Sequence, residues 1–215
     1  MQLLARSVLL APVLVLVGCS SAYYATMENF GYQKREILVD RVEDARDAQE
    51  ATAKEFESAL EQFSSVVDFD GGDLEDLYDR LSDAYEDSES RANDVSDRVD
   101  AVENVAEALF EEWEDEIDQY ENDSFRRTSS DQLRETKRRY GQLMSAMRRA
   151  ESKMEPVLSA FRDQVLFIKH NLNARAIASL ENELDRIESD VADLVRDMKQ
   201  SMAEADEFIR EMQSA

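Results

Sequence analysis

The chain has one cysteine and one histidine among its 215 residues. A lone cysteine excludes a disulfide within the chain, and no nearby base or electropositive setting marks it as a reactive thiol. His170, with no cysteine or motif-placed serine beside it, builds neither a nucleophilic triad nor a zinc site, and reads as a polar turn residue. Glycine is also scarce, and no G-x-x-x-x-G-K-[ST] loop exists to cradle phosphates. Basic residues are outnumbered, 25 Lys and Arg against 49 Asp and Glu. A net charge of -24 repels nucleic acid. Paired carboxylates are expected by chance in so acidic a chain, so none is assigned to catalysis. The sequence is not read as an enzyme, and it calls for no cofactor and no metal.

The few special residues concentrate at the start. Arg6 gives a positive amino-terminal region, Val8 to Val17 is apolar but too short to span a bilayer comfortably, and Gly18 precedes Cys19. Residues 1–18 read as a signal peptide. Leu16, Val17, Gly18 and Cys19 resemble a bacterial lipobox. That resemblance implies diacylglycerol attachment to the Cys19 thiol, cleavage before it, and acylation of the new amino terminus. Ser20 follows where an aspartate would signal retention, which implies transfer to the outer membrane. Residues 19–27 form a short tether carrying Tyr23 and Tyr24.

Only five glycines and two prolines occur, and Pro12 lies in the signal peptide. So little punctuation favours long helices. With 43% hydrophobic and 34% charged residues, the chain is too apolar for simple disorder and lean for a thick core. Narrow apolar seams on charged rods fit that balance, and four can be traced. The first runs Leu38, Val42, Ala45, Gln49, Thr52, Phe56, Ala59, Phe63, Val66. The second runs from Leu74 through Leu81, Ser88, Val95 and Val102 to Trp113, Ile117 and Tyr120, with one slip near its end. The third runs from Leu133 through Tyr140, Met147, Met154 and Phe161 to Leu172. The fourth runs from Ile177 through Leu184, Val191 and Met198 to Met202, Ala205, Phe208 and Met212. No strand-like alternation competes with them in the mature chain.

The expected fold is therefore all-α: an elongated up-down bundle of about four long antiparallel helices over 28–213, with helices near 28–67, 74–121, 131–170 and 174–213. Gly71 and Gly72 permit the first turn, and Asp73 caps the second helix. The polar stretch NDSFRRTSSD makes the second turn, with Ser129, Ser130 or Asp131 as the cap. At KHNLN the seam slips by one residue, so a turn capped by Asn173 and a stutter in one continuous helix both fit. Pro156 falls inside the third helix, where it removes a donor and crowds the Ser152 carbonyl, so a kink is expected.

Charge pairs the helices. Residues 70–125 hold 22 acidic and 3 basic side chains, residues 126–175 hold 12 basic and 5 acidic, and residues 176–215 hold 11 acidic and 4 basic. The third helix should lie against the second and suits the fourth, although single exposed ion pairs are worth only about 0 to 1 kcal/mol.

The stretch YYATMENFGYQKREILVDRVEDARDAQEATAKEFESALEQF, from Tyr23 to Phe63, resembles the amino-terminal part of the uncharacterised bacterial lipoproteins grouped as domain of unknown function 2959. KREILVDRVEDARDAQ is its most specific portion, and the helical remainder is similar throughout. The resemblance implies a coiled-coil envelope lipoprotein and supplies no activity.

Two functional expectations follow. The first is a lipid-anchored periplasmic scaffold or interaction protein of the bacterial envelope. It would be held to the membrane through Cys19 and would meet an envelope protein partner, with a homo-oligomer also open. The second is a ligand- or divalent-cation-binding sensor using the bundle interior or the acidic turn DFDGGDLED, which misses the EF-hand pattern. In an up-down bundle the second turn returns toward the anchor. This places Tyr23, Tyr24, Phe125, Arg126 and Arg127 near the membrane, against the plainer reading of a solvated turn. Asp68, Asp70, Asp73 and His170 share the distal tip.

Overall fold

The computed structural model describes residues 34–65, 74–170 and 174–214, with the side chains of residues 74 and 174–182 left aside. Among these residues there is no strand. Five helices occur: α1 Lys34–Ser64, α2 Leu74–Gln119, α3 Asp123–Ser152, α4 Met154–His170 and α5 Ala174–Ser214. They make an all-α bundle of four rods, the third composed of α3 and α4 end to end. At about 1.5 Å per residue, the 46 residues of α2 span about 70 Å.

Inter-helix pairs give the direction of each rod. Lys34 meets Glu112 at 2.8 Å, while Thr52 Oγ1 donates to the Arg91 carbonyl at 3.3 Å, so α1 and α2 are antiparallel. Trp113 donates to Ser129 and Arg148 reaches Asp100, which sets α3 antiparallel to α2. Arg139 meets Glu211 and Lys153 meets Asp197, so α5 runs back along α3 and α4. That arrangement excludes a continuous helix through the third turn. Arg46 and Asp206 then join α1 to α5 and close the ring. In cross-section α1 and the α3/α4 rod occupy opposite corners, as do α2 and α5.

The seams form the core. Every described seam residue of α1, from Leu38 to Phe63, is buried. So are Leu81, Val95, Val99, Val102 and Ala106 of α2, and Leu143, Met147, Ala150 and Phe161 of the third rod. Burying a large apolar side chain contributes about 1.5 to 3 kcal/mol, so these stripes outweigh the scattered surface ion pairs.

Three expectations are corrected. The third rod begins at Asp123, not near 131, because Asn122 is the cap: its Oδ1 accepts from the Ser124 and Phe125 amides at 2.8 and 3.3 Å. Ser129, Ser130 and Asp131 are already helical, and Ser130 Oγ donates back to the Arg126 carbonyl. The rod breaks at Lys153, three residues ahead of Pro156. This places the proline in the first turn of α4, where its missing donor has no intrahelical partner to lose. In α5 the core residue is Ser201, fully buried, and not Met202, which is only half-buried. Leu194, Met198, Ser201, Ala205, Phe208 and Met212 keep steps of four and three; the regular heptad outranks the hydrophobicity of one side chain.

Candidate functional site

The bundle has two ends. At one lie the start of α1, the α2–α3 turn and the last turn of α5; at the other lie the end of α1, the start of α2, the end of α4 and the start of α5. The first end carries the more elaborate arrangement. A cavity of about 380 Å³ opens there between all four rods, with Trp113, Phe208 and Met212 as apolar walls and Arg35, Arg139 and Glu211 among its charged ones. It falls within the roughly 300 to 1,000 Å³ typical of small-ligand sites.

Each wall is held by its own contacts. Trp113 ends the regular part of the α2 seam; its Nε1 donates to Ser129 Oγ at 2.8 Å, satisfying a polar handle that is half-buried. The Arg35 guanidinium donates to the Met212 carbonyl. Met212 lies in the last turn of α5, where carbonyls lack helical partners, so the cation caps that helix and complements its dipole. Arg139 bonds Glu135, Glu207 and Glu211 at 3.1, 2.9 and 2.8 Å. Hydrogen bonds from Arg138 and Arg139 hold the Glu135 carboxyl down to about 2, and the bond to Glu135 in turn raises Arg139. Around Arg139 the rim is thus a network of paired charges.

Just outside, Tyr140 crosses Phe110 edge to face at 5.3 Å, and Lys137 lies 5.4 Å over the same Phe110 ring. Burial, reinforced by Glu103 and Glu107, pushes the Tyr140 hydroxyl up to about 12. This tyrosine remains neutral at physiological pH and serves packing. Arg148 bridges to Asp100 and Glu103, which joins the basic third rod to acidic α2 as the charge blocks lead one to expect.

Phe125, Arg126 and Arg127 sit at this same end, in the first turn of α3 and not in a loop. Phe125 is 62% exposed. Arg126 is tied to the Tyr120 carbonyl at 2.6 Å and to Asp123 at 3.2 Å, which braces the three-residue turn between α2 and α3. Tyr120, the last position of the α2 seam, is 38% exposed in that turn. His170 closes α4 at the opposite end and is exposed, near exposed Leu166. Cys19, Tyr23, Tyr24, Asp68, Asp70 and Asp73 lie outside the described residues. Among the described residues no group of three or more His, Cys, Asp or Glu is placed to hold a metal ion, and no helix is long and apolar enough to cross a membrane.

The cavity itself is absent from the sequence reading. Its signal lay in the slip of the α2 seam from Trp113 to Ile117, two successive steps of four that rotate the apolar stripe where Phe208 and Met212 approach.

A family model described as protein of unknown function (DUF2959) matches residues 23–212. No curated protein and no solved structure matches the chain.

Proposed function

The chain belongs to the DUF2959 family, and we propose that it is a lipid-anchored scaffold or interaction protein of the bacterial envelope. In this reading Cys19 carries the lipid, the protein faces the periplasm from the outer membrane, and the rod presents its surface to a protein partner. One observation supports it above others: the start of α1 shares an end of the bundle with exposed Phe125, opposite His170. Fourteen residues separate Cys19 from Lys34. At about 3.5 Å per extended residue they reach at most about 50 Å, less than the length of α2, so the α1 end is the one the anchor holds near the lipid. An aromatic beside arginines suits the headgroup boundary there. The test is Cys19→Ala, which should abolish fatty-acid labelling and normal signal processing; labelling that persists in the variant contradicts the reading.

The cavity favours a second reading, binding of a small apolar ligand within the bundle. Raised thermal stability in a ligand screen supports it, and calorimetry with calcium tests the cation version at the acidic turn.

A further inference from the structure

We propose that the cavity at the α1 end takes a small monocarboxylate with an apolar body, its carboxylate on Arg35 and its body against Trp113, Phe208 and Met212. The inference rests on the reading of the cavity as a ligand site and adds the charge that the ligand carries. Four of the walls are charged: Arg35, Glu135, Arg139 and Glu211. Three of them answer one another, since Arg139 bonds both glutamates and Arg138 adds a second guanidinium to Glu135. Arg35 differs. Among the described residues its guanidinium donates only to the neutral Met212 carbonyl and meets no carboxylate.

The geometry of the walls selects the ligand. A guanidinium presents a planar fork of donors that a single carbonyl does not fill, and a carboxylate is the acceptor that matches the fork with two parallel bonds. The bond to Met212 holds that fork at the last turn of α5, one turn beyond Phe208. Phe208 and Met212 are i, i+4 neighbours on α5, and Trp113 adds an apolar wall from α2. Charge and apolar surface thus adjoin, which suits an amphipathic molecule better than a purely apolar or a purely ionic one. Gln132 and Thr136 of α3 supply neutral hydrogen-bond partners. A volume of about 380 Å³ lies at the small end of ligand pockets, which limits the body to a short chain or a single ring system. A cation fits less well, because it must compete with Arg138 and Arg139 for Glu135 and Glu211. The net charge of -24 opposes an anion only at long range. Salt screens it beyond about 8 Å, whereas the bonds to Arg35 act at contact.

Trp113 is the only tryptophan and stands in the cavity wall, so its emission reports occupancy. The test uses the mature chain with Cys19→Ser, so that no attached lipid competes for the probes, which are octanoate, octan-1-ol and protonated octylamine. Octanoate should shift the Trp113 emission to the blue in a saturable way and bind about tenfold more tightly than octan-1-ol, the gain expected of hydrogen bonds to a charged group. Octylammonium should bind most weakly. Arg35→Gln should bring octanoate down to the affinity of octan-1-ol and leave octan-1-ol unchanged, and Arg35→Lys should restore part of the preference. Equal binding of octanoate and octan-1-ol by the parent overturns the carboxylate assignment while the cavity stays a ligand site; no saturable response to any probe overturns both. Tightest binding of octylammonium, or a preference for octanoate that survives Arg35→Gln, also overturns the proposal. Should Arg35→Gln lose helicity, the order of the three probes on the parent decides alone.

Discussion

Phe63 and Phe161 stack with ring centroids 4.4 Å apart and planes within 4° of parallel, although they belong to rods at opposite corners of the bundle. Phe56 adds a second contact to the same ring at 6.1 Å. All three are buried, so one phenylalanine of α4 bridges the centre of the molecule near its distal end. Phe161→Ala should lower stability by about 3 to 5 kcal/mol. A double-mutant cycle with Phe63→Ala should give a coupling of about 0.5 to 1.5 kcal/mol beyond area burial. Additive losses would mean the stack contributes only its burial.

Gln49 occupies a core position of α1 at 0% exposure, and neither its Oε1 nor its Nε2 has a protein partner among the described residues. Ser201 of α5, equally buried, also lacks one. The pairs Arg46–Asp206 and Lys199–Glu57 bracket the two residues at one level of the bundle. Because α1 and α5 are not joined directly by a turn, their register depends on side chains, and buried polar groups are a known means of setting register at a cost in stability. Gln49→Leu should therefore raise the denaturation midpoint, by the equivalent of about 1 to 3 kcal/mol of relieved desolvation. A fall in the midpoint contradicts that assignment.

The charge blocks meet through a few residues. Arg148 crosses to Asp100 and Glu103, and Arg139 crosses to Glu207 and Glu211. Arg134, by contrast, pairs with Asp131 of its own helix. Arg139→Glu with Arg148→Glu should lower the melting temperature more at low salt than at high salt, because screening weakens the repulsion created. Arg134→Glu should cost less under both conditions. Equal losses at both ionic strengths from the first pair would assign the effect to packing.

Asp197 is a buried carboxylate, and the hydrogen bond from Lys153 at 2.9 Å is the main reason its pKa is lowered; burial alone pushes the other way. A carboxyl depressed in the folded state contributes stability above its unfolded value of about 3.9, and that contribution is lost as pH falls through the folded value. Lys153→Met should thus destabilise the protein at pH 7, and the gap to the parent should narrow as pH drops below about 4. Denaturation curves measured from pH 7 to 2 give the comparison, and a gap independent of pH contradicts the pairing.

Much of the fold was legible because long seams repeat one physical demand, and a stripe such as Leu38 to Phe63 repeats it at eight described positions. Single-residue decisions were harder. Asn122 caps α3 although three later residues also have capping side chains; an asparagine is competent in any turn, and only the two amides that its side chain accepts show where the helix begins. Hydrophobicity favours Met202 over Ser201, whereas helical phase decides. The cavity depends on four rods meeting, a relation that a linear pattern does not carry. Phe125, expected in a loop at the membrane surface, lies on a helix and is exposed, and its contact with lipid is part of the proposal.

The proposed lipid anchor would stand this rod on the membrane by its α1 end. Mature, lipidated protein in vesicles can be labelled at Phe125→Cys or His170→Cys, because an acylated Cys19 leaves no other thiol to react. Depth-dependent quenching from lipid-borne quenchers then measures each site. A rod anchored at its α1 end gives strong quenching at residue 125 and none at residue 170. Equal exposure of the two sites to water, or stronger quenching at residue 170, contradicts it.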